Sequence, residues 1–248
     1  MEALKVVNVW KRFGGLVALK NVSFSVKEGE LLGIIGPNGA GKTTLFNVMT
    51  GFYKPDKGRI LFYGKDITGK PPFELAKKGL VRTFQLVKPF LGMTVLDNVL
   101  VSVYMRYGVF RGISEEEARE KAREKLKFVG LLHRENYLAE ALPHGEKKRL
   151  EIARALALNP KVLLLDEPVG GLTPTEMDEI IELIKKVHDS GVTVIVIEHN
   201  MRVVMNVCKR IIVLNYGEIL TEGTPEEIAS NPDVIKAYLG ERYIARSK

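Results

Sequence analysis

In the stretch NVSFSV, Val22, Phe24 and Val26 alternate with polar neighbours, the period of a strand with one face in a core and one in water. LKVVNVW before it and GRILFYGKDI after it share its β-branched and aromatic enrichment, so the three segments predict an antiparallel sheet. ELLGII, KVLLLDE and GVTVIVIE are apolar without alternation, as strands buried on both faces are. The last two are separated by TPTEMDEIIELIKKVHDS, an amphipathic helical pattern, and that order predicts parallel strands joined by a crossover helix. A glycine-rich turn follows ELLGII and leads into a helix from about Lys42 to Met49, with Gly51 as its stop.

The middle of the chain changes period. Ser114 with Glu117 predicts a capping box, and Glu117 and Lys121 then pair at helical spacing, so Val95 to Leu158 reads as a mostly helical lobe. Its charge run is the solvated face of helices. After Lys209, RIIVLNYGEILTEG predicts a hairpin turning at Tyr216 and Gly217, with a short helix from Pro225. The expected fold is α/β: a mixed, largely parallel core sheet flanked by helices, with an antiparallel β subdomain and a helical lobe. Residues 1–86 and 161–248 are expected to form the core with its antiparallel part, and residues 87–160 the helical subdomain.

Composition narrows this picture only a little. At 248 residues with 46% apolar content the chain can bury a sizeable core. The net charge of +7 favours an anionic partner, but lysines and arginines are interspersed with acids, so polyphosphate or anionic lipid serves as well as nucleic acid. Cys208 is the one cysteine, which excludes a disulfide framework and predicts a buried thiol in an apolar helix of a protein kept in a reducing compartment. The N-terminus MEALKVVNVW has no signal pattern and no apolar run is long enough to cross a bilayer, so any membrane role is expected to come through a partner.

The chemistry begins with GPNGAGKTT, which is Gly36, Pro37, Asn38, Gly39, Ala40, Gly41, Lys42, Thr43 and Thr44. It matches the phosphate-loop pattern and stands where that pattern must, between a buried strand and a helix. Glycines let the backbone close around phosphates, its N–H groups form an anion nest, and the helix N-terminus adds positive potential. Lys42 is expected to reach the β and γ phosphates and the Thr43 hydroxyl to ligate Mg²⁺. In VLLLDEP, Asp166 ends an apolar strand where it can hold the metal's shell, and Glu167 follows with a carboxylate able to polarise water. Hydrolysis is therefore favoured over transfer to a bound acceptor, and the guanine-reading NKxD pattern is absent. His199, at the end of VIVIEH, falls at a third strand end, where its imidazole can bond the γ-phosphate or orient the water. His133, His144 and His188 have no such placement in the sequence.

In their order and spacing, the phosphate loop, Gln85 in VRTFQ, the helix at Gly145, Asp166 with Glu167, and His199 resemble an ABC-transporter ATPase subunit, over Leu4 to Glu241. The resemblance implies a two-lobed cassette that hydrolyses ATP with Mg²⁺ as a head-to-tail dimer. It implies that Phe13 stacks on adenine with Val17 nearby, and that Thr43, Gln85 and Asp166 hold the metal. It also implies that Glu167, His199 and Lys42 are catalytic, and that Gly145 faces ATP bound to the second ATPase subunit. LVKPFLGMTVLDNV then lines the groove for a transmembrane subunit's coupling helix. TGFYKPDKGRI, IEHNMRVVM and GTPEEIASNPDVIKAYLGE resemble more closely the LivG-type branch, the ATPases of high-affinity branched-chain amino acid importers. That branch implies two permease subunits, an extracytoplasmic binding protein and a place on the inner face of the cell membrane. An ATPase of lipopolysaccharide export is a sibling reading, and a soluble non-transport ABC ATPase another.

Two positions depart from the general pattern. LPHGE stands where LSGGQ is usual, and Thr173 in GLTP stands where aspartate is common. Pro143 offers neither hydroxyl nor N–H, and one donor lost from a phosphate contact costs about 1.5 to 3 kcal/mol. The Gly145 N–H, the helix dipole or His144 would have to compensate.

Overall fold

The computed structural model describes residues 1–85, 88–108 and 112–239. Two long strands open the chain, β1 (Glu2–Phe13) and β2 (Leu16–Lys27), paired antiparallel from Glu2 opposite Lys27 to Phe13 opposite Leu16. After β3 (Leu31–Ile35) and helix α1 (Lys42–Met49) come β4 (Lys57–Phe62) and β5 (Lys65–Asp66), which extend the first pair into a four-stranded antiparallel sheet, β2-β1-β4-β5. Helix α2 (Pro72–Lys78) leads into β6 (Leu80–Arg82). Three helices follow, α3 (Val95–Tyr107), α4 (Glu115–Phe128) and α5 (His144–Ala157). The chain then alternates β7 (Val162–Asp166), α6 (Pro174–Asp189), β8 (Thr193–Ile197) and α7 (Met201–Val207). It closes with the hairpin of β9 (Arg210–Asn215) and β10 (Glu218–Gly223), then α8 (Pro225–Ser230) and α9 (Pro232–Leu239).

The second sheet has six strands in the order β10-β9-β3-β8-β7-β6, parallel throughout except for β10. All residues of β3, β7 and β8 are buried, because each strand faces a core on both sides. Successive residues divide between the two. Ile35, Leu163, Leu165, Val194 and Val196 join the core that continues into α3–α7. Leu32, Ile34, Leu164, Ile195 and Ile197 join the core shared with α1 and the antiparallel sheet. The two-residue strand period thus distributes one sheet between two hydrophobic interiors.

Local chemistry fixes the ends of the elements. Thr173 and Glu176 form a full capping box at α6, with Pro174 in the first turn, where a missing N–H costs nothing. At α4 the box is half made: Ser114 Oγ accepts from Glu117 N, while the Glu117 carboxylate turns to Lys121, 3.5 Å away. The β9–β10 turn falls at Tyr216 and Gly217, both at positive φ (46° and 80°), as a two-residue hairpin turn requires. Cys208 is buried but follows α7 rather than lying within it. There it meets Gly33 of β3, where an added Cβ would come within 3.0 Å of the Cys208 sulfur. Of the stretch expected to line a coupling groove, Leu86 and Val87 lie outside the described residues, as does the C-terminal segment from Gly240.

Candidate functional site

The site is built on the C-terminal ends of β3, β7 and β8. Beyond β3 the chain turns at Gly36, where a Cβ would strike the Leu214 carbonyl at 2.2 Å, and enters α1 at Gly41, where a Cβ would stand 2.6 Å from the Ala18 carbonyl. Only glycine fits either position. The β9–β10 turn braces the loop, with Gly217 N donating to Ala40 O (3.0 Å). No acid and no side-chain cap occupies the first turn of α1, so its N–H groups and positive potential face the loop. Lys42 Nζ lies within the loop, on the carbonyls of Gly36 (2.6 Å) and Pro37 (3.1 Å). Burial lowers its pKa, and the charges of Glu167 and Asp166 act against that shift.

A cleft of about 520 Å³ is lined by Phe13, Val17, the loop from Asn38 to Thr44, Gln85 and Glu167. The Phe13 ring is partly exposed and meets the Tyr53 ring edge-on at 5.2 Å. Its free face and the phosphate loop suit the two ends of a nucleotide. A second cavity, about 660 Å³, brings Thr43, Gln85 and Asp166 onto one wall. A hydroxyl, an amide and a carboxylate there form a hard-oxygen donor set of the kind Mg²⁺ takes together with phosphate oxygens and water.

Asp166 is only 4% exposed, and burial raises its pKa, with Glu167 adding to the rise and Arg82 opposing it. Arg82, from β6, donates to Asp166 Oδ2 at 2.8 Å and to Asn47 Oδ1 at 2.6 Å, and its guanidinium lies 4.7 Å from the Phe84 ring centre. Among the described residues no hydrogen bond falls on Asp166 Oδ1.

Glu167 has a left-handed backbone, φ 45°, rare for a side chain of its size. Its N–H donates to Ile197 O (3.0 Å), and its carbonyl accepts from Gly170 N (3.1 Å) and Lys148 Nζ (3.1 Å). The carboxylate accepts from Gln85 Nε2 at 2.7 Å on Oε2, and His199 Nδ1 lies 3.5 Å from Oε1. The fully buried Glu198 anchors this end of β8, accepting from the N–H groups of Val169 (3.1 Å), His199 (3.2 Å) and Asn200 (3.4 Å). Burial raises its pKa, against those hydrogen bonds. Phosphate cradle, flanked carboxylate and oxygen donors together can hold a nucleoside triphosphate and polarise a water at its γ-phosphate.

The structure adds to the residues expected from sequence. His144 stands at no strand end; as the first residue of α5 it sets Nε2 3.1 Å from Gly170 O, in the loop after β7. Hydrogen bonds from Thr173 lower the Glu176 pKa, with a smaller part from the Gly145 N–H, and a Cβ at Gly145 would stand 2.7 Å from Glu176 Oε1. Arg82, Lys148 and Glu198 were not singled out in the sequence. Glu198 carries a signal, as the acid that directly follows the apolar run VTVIVI.

Known proteins resemble the chain over most of its length. The family described as ABC transporter matches residues 19–170, and the one described as branched-chain amino acid ATP-binding cassette transporter matches residues 218–244. The chain is 45% identical to the high-affinity branched-chain amino acid transport ATP-binding protein LivG of Salmonella typhimurium, over 96% of this chain and 98% of that protein. It is 46% identical to BraF of Pseudomonas aeruginosa, which carries the same description, with equal coverage. Among solved structures, an ATP-binding cassette of an ABC transporter in its ADP conformation superposes with a TM-score of 0.88 at 40% identity, over 97% of this chain and all of that one. A dimeric cassette bound to ADP and Pi superposes at 0.80, with 34% identity over 90% of this chain and 98% of the other.

Proposed function

Because this chain belongs to the ABC transporter family of ATP-binding cassettes, we propose that it is the ATP-hydrolysing subunit of an importer for branched-chain amino acids. The C-terminal match at 218–244 and the names of its relatives support that substrate class. No described helix is long and apolar enough to cross a membrane. Transport therefore runs through two permease subunits, which hold this chain at the inner membrane face and receive amino acid from an extracytoplasmic binding protein. Nucleic acid has no part in it. Residues 1–86 and 161–248 act as the nucleotide-binding core and residues 87–160 as the lobe that carries the signature helix α5.

Phe13 stacks on adenine beside Val17, and the N–H groups from Gly36 to Thr44 hold the phosphates, with Lys42 turning from the loop carbonyls to the β and γ oxygens. Mg²⁺, when bound by Thr43, Gln85 and Asp166, neutralises charge on those oxygens. Glu167 takes the proton of the attacking water, and His199 steadies both the carboxylate and the γ-phosphate. Gly145 completes the nucleotide site of a second ATPase subunit in a head-to-tail dimer, once its N–H leaves Glu176. Gln85 reports the nucleotide state to the permease.

The observation that carries hydrolysis is the Glu167 carboxylate held between Gln85 Nε2 (2.7 Å) and His199 Nδ1 (3.5 Å) beside the phosphate loop. Glu167→Gln should bind ATP, lose turnover by about a hundredfold or more, and accumulate as a dimer with ATP. Full turnover by that variant removes Glu167 as the base. Affinity purification of the chain from its native membrane should recover two permease subunits; recovery of ribosomal or DNA-processing partners instead removes the transport reading.

A further inference from the structure

Lys148 lies in the second turn of α5, between the partly exposed Lys147 and Arg149, yet it is itself only 3% exposed. A buried ammonium normally takes a carboxylate partner. Among the described residues Lys148 forms no ion pair within 4.0 Å; it donates instead to two backbone carbonyls, Gln85 O and Glu167 O, each at 3.1 Å. Those carbonyls belong to different strand ends, one following β6 and one following β7. Gln85 in turn donates through Nε2 to Glu167 Oε2 at 2.7 Å. The three bonds close a ring through α5, the Gln85 segment and Glu167.

The ring matters because of the Glu167 backbone. A glutamate at φ 45° persists only where its surroundings over-determine it. The Glu167 carbonyl is held by the Gly170 N–H within its own turn and by Lys148 from another element, the only side-chain donor it has among the described residues. Burial lowers the Lys148 pKa, and the charges of Glu151, Glu198, Glu167 and Asp166 act against that shift.

The geometry points to Lys148 as a positioning residue for Glu167: by bonding both carbonyls, it ties the catalytic carboxylate and Gln85 to the signature helix. A swing of the helical lobe then moves the base and the permease-reporting glutamine together. This deepens the hydrolytic reading and rests on it. Simple space-filling by a lysine stem predicts none of this, since methionine has a similar length without the donor.

The test compares the full-length chain with Lys148→Met, Glu167→Gln and the double variant. Lys148→Met should lower kcat about a hundredfold, as a misplaced base does, with KM and the affinity for fluorescent ATP within about twofold. In the Glu167→Gln background it should cost nothing further, because it acts through Glu167. Amide hydrogen exchange supplies a readout independent of turnover: the Gly170 N–H, bonded to Glu167 O, should exchange at least about tenfold faster in Lys148→Met. Unchanged kcat, unchanged Gly170 exchange, or a loss of ATP affinity matching the loss of kcat overturns the proposal. A wild-type chain without ATPase activity would instead sink the hydrolytic reading, and the exchange measurement still decides whether Lys148 holds Glu167. Should Lys148→Met not fold, Lys148→Gln is judged by the same two readouts.

Discussion

Replacing Arg82 by methionine is expected to expose how the acid at the end of β7 is stabilised. The Arg82 and Asp166 side chains are 6% and 5% exposed and meet at 2.8 Å, so neither charge has water as an alternative partner. Removing one member of such a pair leaves the other uncompensated and costs about 3 to 5 kcal/mol. The arginine also lies against the rings of Phe52 and Phe84, at 5.4 and 4.7 Å, an attraction of about 0.5 to 2 kcal/mol that methionine only partly replaces. Relief comes from protonation. Without Arg82, burial and the neighbouring Glu167 act on Asp166 with the charge of Lys148 left to oppose them, and push its carboxyl higher still. The folded variant then binds this proton at higher pH than the unfolded chain does, whose ordinary carboxyl titrates near 3.9. Stability relative to wild type is lowest above the raised folded pKa and recovers as pH falls through it. Urea unfolding of Arg82→Met and wild type in metal-free buffer should therefore show a deficit of about 3 kcal/mol or more at pH 7.5 and a smaller one at pH 5.5. A deficit below about 1 kcal/mol, or one that grows on acidification, refutes the reasoning.

Phe13→Ala should weaken ATP binding by about 5- to 150-fold, the equivalent of the 1 to 3 kcal/mol of a base–aromatic stack; titration with fluorescent ATP measures it, and an unchanged affinity takes adenine off that ring. Cys208, whose thiol burial pushes well above its ordinary value, should resist alkylation at pH 8 until the chain unfolds. Because the unfolded thiol ionises near pH 8.5 and the folded one does not, the stability difference between wild type and Cys208→Ala should shift against wild type by about 1.4 kcal/mol per pH unit above that value; urea midpoints between pH 8 and 10 check it.

What the sequence makes legible is whatever is written locally. β3, β7 and β8 appear as apolar runs because both of their faces are buried. The phosphate loop, Asp166, Glu167 and His199 stand at the ends of those runs, where the strand order brings ligands. Partners distant in the chain are not written there. Arg82 and Asp166 are 84 positions apart, and nothing near either names the other. Lys148 is one of several cations opening α5, and in sequence it cannot be told from its solvated neighbours. The capping box at Ser114 fails halfway for a related reason, since a second helical partner, Lys121, draws the glutamate away from the backbone. The signature helix is expected to aim at another chain, and Glu176 of this one lies at its first turn.

That carboxylate gives the isolated subunit a consequence of its own. Glu176 already serves Thr173 through its N–H (2.9 Å) and hydroxyl (2.8 Å) at the head of α6. Presenting the same group to Gly145 sets an anion of the chain's own where a phosphate from outside is expected to arrive. In the proposed dimer a nucleotide at Gly145 has to displace this tethered rival, and a rival held at fixed distance is undiluted however little protein is present. The proposed pairing of cassettes through the signature helix therefore includes moving Glu176, which α6 holds at its head.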